Sequence, residues 1–269
     1  MTAFEAALLG LVQGATEFLP VSSSAHLFLA NRLLGFVEPR LAFHLLLHLG
    51  TLTAVVYFLR SEISEIVVSV FRRRQTMWTP PSIWGRRDLW LGILATIPTG
   101  LIGLYFKDSV ETGITPLGIG LRYLVLTSSL LLTTIRFQHK FDPDRIEWWE
   151  ALAIGVVQGL AVFPGLSRSG STIIFALLIG VAPLRAAKFS FLISIPAILG
   201  ASLVAMKGGA LFAGHYAASV LITGFLVSMA TGYIALMTVE HFVVKGRFYV
   251  FAPYTLVLAG FCFYLHFAG

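Results

Sequence analysis

Apolar residues run in long blocks along this chain, separated by short polar stretches. Six blocks, roughly 41–59, 88–106, 117–135, 186–206, 216–237 and 249–268, come close to the ~20 residues that a helix needs to cross a bilayer. Two more, about 4–34 and 148–183, are longer but broken near the middle. Pro20 and Ser22-Ser23-Ser24-Ala25-His26 interrupt the first; Pro164 and Ser167-Arg168-Ser169-Gly170-Ser171-Thr172 interrupt the second. Neither break suits a lipid-facing position, because freed backbone groups and polar side chains find no partners in hydrocarbon. Each broken block therefore predicts a re-entrant helical hairpin. The expected fold is an all-α polytopic membrane protein, a single domain over 1–269 with six transmembrane helices and two re-entrant hairpins.

The chain also resembles itself. Glu5 to Gly14 aligns with Glu150 to Gly159 at an offset of 145, with identities at Glu, Ala, Gly, Val, Gln and Gly. The same offset places Ser22 on Ser167, Ser24 on Ser169 and Arg40 on Arg185. Matching Glu, Gln and Ser at one offset exceeds what two apolar helices share by composition, so the pattern reads as a repeat, approximately 1–136 and 146–269.

Charge orients the halves. Arg60, Arg72, Arg73, Arg74, Arg86 and Arg87 lie between two apolar blocks, as cytoplasmic loop charge does. With that loop inside, Arg136, Lys140, Arg145, Arg185, Lys188, Lys245 and Arg247 also fall inside, while Arg32, Arg40, Lys107 and Lys207 fall outside. The halves then have opposite topology, an inverted-topology repeat with both termini outside. Such repeats bring broken-helix tips together near the midplane, and helix N-termini there favour an anion.

Composition agrees with a membrane. Apolar residues make up 57% and charged residues 12% of the chain, with a mean hydropathy of +0.85. The net charge of +6 is not arranged as a basic, aromatic-interleaved polar face, so no nucleic-acid partner is expected. The single cysteine, Cys262, sits in an apolar block and reads as packing. No Lys or Arg precedes the first apolar stretch, so a signal peptide is not expected there. Trp78, Trp84, Trp90, Trp148 and Trp149 fall at block ends and read as interfacial anchors; Arg122 reads as a snorkelling or headgroup-touching residue.

The breaks carry the candidate chemistry. Gln13 and Glu17 are four apart and share one helix face, and a carboxylate inside a span marks a functional site. Ser22, Ser23, Ser24 and His26 offer a nucleophile, hydrogen-bond donors and a general acid or base; the bland alternative for any one Ser is a helix cap. In the second break, Gly165 and Gly170 let backbone amides approach an anion, and Ser167, Ser169 and Thr172 add donors. Arg168 is the strongest clue. Its planar fork matches phosphate oxygens, and a salt bridge to Glu17 is the structural alternative, with which phosphate binding is compatible. His44 and His48 are an i, i+4 pair without a third ligand, so a metal site there is not expected; His48 could line the pocket.

Gln13-x-x-x-Glu17, Pro20-Val21-Ser22-Ser23-Ser24-Ala25-His26 and Pro164-Gly165-Leu166-Ser167-Arg168-Ser169-Gly170-Ser171-Thr172 together resemble the bacterial undecaprenyl-diphosphate phosphatase family, associated with bacitracin resistance. The resemblance implies removal of the terminal phosphate from a polyprenyl diphosphate, regenerating the lipid carrier for cell-wall assembly in the bacterial inner membrane. By resemblance Glu17, His26 and Arg168 are catalytic or essential, Ser23 is the proposed nucleophile, and Ser167 and Thr172 contact phosphate. Many members carry Glu where this chain has Gln13, which removes one carboxylate, and the first string commonly reads Ser-Ser-Thr-Gly-His.

The expected mechanism has Arg168, backbone amides and the hydroxyls of Ser22, Ser24, Ser167, Ser169 and Thr172 around the terminal phosphoryl group. Ser23 or water attacks phosphorus and His26 handles the proton. Glu17 binds a divalent cation, Mg2+ or Ca2+, or orients His26, and Gln13 completes the substrate-binding set. Expected partners are the lipid substrate, the bilayer and, as one option, a second copy in a homodimer, with the site facing the periplasm. The rival reading is a flippase or transporter of polyprenyl phosphate, which needs Arg168 but not Ser23 with His26.

Overall fold

The computed structural model describes residues 1–34, 41–71, 84–112, 114–136, 145–207 and 216–268. In chain order the helices are α1 (Ala3–Glu17), α2 (Ser23–Leu34), α3 (Leu41–Phe58), α4 (Arg60–Phe71), α5 (Arg86–Tyr105), α6 (Lys107–Thr112), α7 (Pro116–Arg136), α8 (Trp148–Leu160), α9 (Arg168–Ile179), α10 (Pro183–Lys207), α11 (Ala218–Val244) and α12 (Ala252–Phe267). A 3-10 turn, Phe248–Phe251, leads into α12. No extended strand occurs among the described residues. Five helices are long and apolar enough to cross a membrane, and α3 with α4, bent by 69°, makes a sixth. The protein is a multi-pass membrane protein whose exterior keeps large apolar side chains exposed, among them Leu101, Leu104, Ile222, Ile234 and Val257.

Glu5 and Glu150, matched by the repeat, do the same job. Glu5 accepts from the Thr2 amide and Glu150 from the Glu147 amide, each at 2.7 Å, so each closes the start of its helix where donors have no intrahelical partner. The matched glycines also share a role. A Cβ on Gly10 would meet the Gly224 carbonyl at 2.8 Å, and one on Gly14 the Gly232 amide at 2.8 Å. α1 therefore lies close along α11, in the same direction. Gly155 backs onto the Ala95 carbonyl and Gly159 onto Ile102, so α8 lies along α5 in the same way. Small residues at this spacing let helix backbones touch, a source of association where lipid offers no hydrophobic drive.

Other pairs extend the pattern. Phe43 packs at Gly224 and Ala54 at Gly232, making α3 parallel to α11. α7 and α12 are antiparallel, with Gly120 at Cys262 and the Thr127 and Thr255 hydroxyls 2.7 Å apart. The start of α10 meets the start of α5 through an Arg185–Asp88 ion pair and the start of α4 through Lys188–Glu62. Arg87 and Glu147, 3.0 Å apart, join the starts of α5 and α8. These directions put Arg60, Arg86, Arg87, Arg145, Arg185, Lys188, Lys245 and Arg247 at one end of the bundle, and the start of α1 at the other.

Two expectations change. The stretch after α3, read as loop, begins with a helix: α4 turns sharply and buries Glu62 and Ile66, with Lys188 holding Glu62. Trp84 is no interfacial anchor; it is 7% exposed and carries the Arg185 guanidinium 3.7 Å above its ring, a desolvated cation–π contact. Trp90, Trp148 and Trp149 do face outward. Arg40, Arg72, Arg73, Arg74, Trp78 and Lys140 lie outside the described residues, as do the side chains of Arg136 and Lys207, whereas Arg32 is exposed.

Candidate active site between the two breaks

α1 stops at Glu17 and α8 at Leu160, and each chain turns back into a second helix, α2 or α9. Ser22 and Ser167, equivalent by the repeat, are the two non-glycine residues with positive φ among the described residues, at 63° and 56°. That conformation costs roughly 1–2 kcal/mol for a residue with a Cβ, so surrounding bonds must hold it. Each serine reaches into the opposite break. Ser22 Oγ accepts from the Gly165 amide at 2.9 Å. Ser167 Oγ donates to the Leu19 carbonyl at 3.2 Å and accepts from the Gly170 amide at 3.2 Å, capping α9. Gly170 has no Cβ because Pro20 lies 2.9 Å from where one would stand.

Latched in this way, the breaks bring Glu17, Ser23 and Arg168 together. Glu17 is 9% exposed, and both carboxylate oxygens are engaged. Arg168 donates from Nη2 to Oε1 at 2.6 Å. Ser23 Oγ donates to Oε2 at 2.7 Å, and Gln13 Nε2 donates to the same oxygen at 2.9 Å. The second Gln13 amide hydrogen points to His48 Nδ1 at 3.0 Å, and that nitrogen lies 3.6 Å from Glu17 Oε2. Ser23 and Arg168 are themselves equivalent by the repeat, each the first residue of its helix. Arg168 Nη1 is buried and makes no hydrogen bond among the described residues, and Gln13 Oε1 is likewise unpaired. A buried donor without a partner is costly, and this one stands beside a hydroxyl activated by a carboxylate.

His26 sits apart from Glu17. Its Nδ1 is 2.8 Å from the Ser22 carbonyl and its Nε2 is 2.7 Å from the Tyr254 hydroxyl. The Ser23 hydroxyl turns to Glu17 and not to His26. The remaining hydroxyls serve mainly as latches. Ser169 donates to the Glu17 carbonyl at 3.3 Å. Thr172, fully buried, bonds the Arg168 carbonyl at 2.9 Å and the Ser190 hydroxyl at 2.5 Å. Ser24 is exposed and joins no hydrogen bond of the cluster.

Sequence reading missed Tyr123 and Tyr254. Tyr123, fully buried in α7, donates to the Val21 carbonyl at 2.9 Å. A tyrosine inside an apolar helix needs a hydroxyl partner, which was the available signal; the partner's identity was not. Its neighbour Arg122 does not snorkel. Arg122 Nε donates to the Pro164 carbonyl at 2.6 Å, so two consecutive residues of α7 hold the two breaks. Glu17 is the single carboxylate in the cluster, and no group of three His, Cys, Asp or Glu among the described residues is placed to hold a metal ion. A resident Mg2+ or Ca2+ would have to displace some of the three protein donors on Glu17, and would find the unpaired Gln13 Oε1 as a second oxygen.

The family model described as bacitracin resistance protein BacA matches residues 6–261. The undecaprenyl-diphosphatase of Alkaliphilus metalliredigens is 43% identical over 263 residues, covering 95% of each chain. That of Desulfosudis oleivorans is 40% identical over 267 residues, covering 97% of each. That of Methanobrevibacter smithii is 38% identical over 269 residues, covering 96% of this chain and 95% of the relative. Breaks, cluster and near full-length identity agree: this chain belongs to the BacA bacitracin-resistance family.

Proposed function

We propose that this protein hydrolyses undecaprenyl diphosphate to the monophosphate and inorganic phosphate, within the membrane, so that the carrier returns to cell-wall synthesis. The observation that carries this reading is the Glu17 carboxylate, bonded at once to the Ser23 hydroxyl and to an Arg168 guanidinium with a spare buried donor. Such a set joins a nucleophile, its base and an anion holder.

In the first step Ser23 Oγ attacks the terminal phosphorus, its proton passes to Glu17, and the polyprenyl monophosphate leaves with the bridging oxygen. Arg168 turns from Glu17 toward the phosphoryl oxygens, joined by the first-turn amides of α2 and α9. In the second step water attacks the phosphoserine, its proton goes to His26, and Ser23 recovers the proton held by Glu17. His26 lies one turn from Ser23 on the same helix face. Gln13 positions Glu17, while Ser22, Ser167, Ser169 and Thr172 hold the breaks around the phosphate. A divalent cation, Mg2+ or Ca2+, belongs in this reading to the diphosphate as its counter-ion, and no step runs through it.

The arginine-bearing end of the bundle is proposed to be cytoplasmic. The first hairpin then enters from the opposite, periplasmic side of the inner membrane, and the site opens there. Phosphate release by the purified, detergent-solubilised protein from polyprenyl diphosphate tests the function. Ser23→Ala is expected to lower kcat by about 100-fold or more; a loss within a few-fold would transfer the attack to water. Binding of the lipid without phosphate release would favour a flippase.

A further inference from the structure

Tyr254 makes a strong contact that the reaction above leaves unused. It stands in the first turn of α12, 228 residues from His26 and outside both sequence motifs. Its hydroxyl lies 2.7 Å from His26 Nε2, and its ring stacks on the imidazole at 5.8 Å and 11°. The other ring nitrogen settles the direction of that bond. Nδ1 is 2.8 Å from the Ser22 carbonyl, and a carbonyl only accepts, so Nδ1 carries the hydrogen. In the neutral ring Nε2 then holds the lone pair, and the Tyr254 hydroxyl donates to it.

The imidazole is also fixed from α7. Tyr123 donates its hydrogen to the Val21 carbonyl, and its oxygen sits 3.3 Å from His26 Nδ1. Tyr123 is fully buried, whereas Tyr254 is 47% exposed. Packing alone needs only a ring at that half-exposed position, and phenylalanine would supply one. The hydroxyl aimed along the lone pair is what packing does not explain.

We infer that Tyr254 is a positioning residue for His26: with the Ser22 carbonyl setting the Nδ1–H tautomer, the Tyr254 hydroxyl holds the ring plane with Nε2 as the accepting nitrogen, and yields that nitrogen to the attacking water when the proton is transferred. The inference rests on the phosphatase reading. It assigns α12, the last helix of the chain, a part in a site otherwise built from the breaks.

Tyr254→Phe keeps the stacked ring and removes the hydroxyl. The variant is expected to lose roughly tenfold in kcat with KM changed by less than about twofold, a fraction of what a positioned acid or base contributes. In a His26→Gln background the same change should cost less than about twofold, because the two residues act as a unit. Nitrogen-15 spectra of the histidines, recorded without substrate, should show the Nδ1–H tautomer of His26 in both proteins, with the Nε2 resonance shifted in Tyr254→Phe, where the hydroxyl no longer donates to it. Wild-type kcat in the variant, or an equal loss in both backgrounds, would overturn the assignment. Failure of the wild-type protein to release phosphate would instead overturn the phosphatase reading, and the spectra would still report whether Tyr254 bonds Nε2.

Discussion

The first and second hairpins have kept one backbone and divided the chemistry between them. Glu5 and Glu150 both cap; Gly10 with Gly14 and Gly155 with Gly159 both seat their helix against a partner; Ser22 and Ser167 both turn the chain with positive φ. At the reacting positions the copies part. Glu17 falls on Val162, which is exposed, Ser23 on Arg168 and His26 on Ser171. Positions that shape the scaffold remained alike because both copies need the same turn and the same close packing. Positions facing the shared centre diverged because one centre needs one nucleophile, one base and one anion holder.

That division can be broken at its most one-sided point. Arg168→Ala is expected to reduce kcat by about 1,000-fold, the upper range for removing a preorganised donor to a developing charge. Phosphate release within a few-fold of wild type would show that the second hairpin is scaffold alone. The shared positions should respond in pairs. Gly10→Val and Gly155→Val should each destabilise the fold by about 1–3 kcal/mol through overpacking, with Gly155 the more sensitive because a Cβ there would stand closer to the Ala95 carbonyl than the 2.8 Å that would separate one at Gly10 from the Gly224 carbonyl. Thermal unfolding in detergent measures both, and a neutral result at either would separate the packing of the two hairpins. The smallest effect is expected at the caps: Glu5→Ala and Glu150→Ala should each cost roughly 0.5–1 kcal/mol and leave kcat unchanged. Unequal losses would mean that one cap also supports the site.

Most of the architecture was legible because hydrophobic runs of span length and polar interruptions are local signals. The offset of 145 also placed Ser22 on Ser167 and predicted that the breaks are equivalent. The pairing of Glu17 with Arg168 was legible from the cost of burying charge in a membrane. What stayed hidden was bonding direction. Ser23 can reach Glu17 or His26 from one turn of helix, and only the fold of the break around Pro20 decides for Glu17. The Trp84–Arg185 stack, the clasp of Arg122 on Pro164 and the bond from Tyr254 to His26 join residues far apart in sequence. α4 was hidden for the same reason: its helix is anchored by Lys188, far along the chain.

The close seat of α1 on α11 also sets a schedule for synthesis. Between Gly10 and Gly224 lie nine further helices among the described residues, α2 to α10, and at ~5–20 residues per second the ribosome needs roughly 10–40 s to make the intervening chain. Throughout that interval the first hairpin has no α11 to dock on, and until α9 is made Glu17 has no Arg168. The earliest part of the molecule to enter the bilayer is thus among the last to reach its final place. A chain cut short after α7 would leave a carboxylate stranded in the membrane, a clear mark for quality control to find.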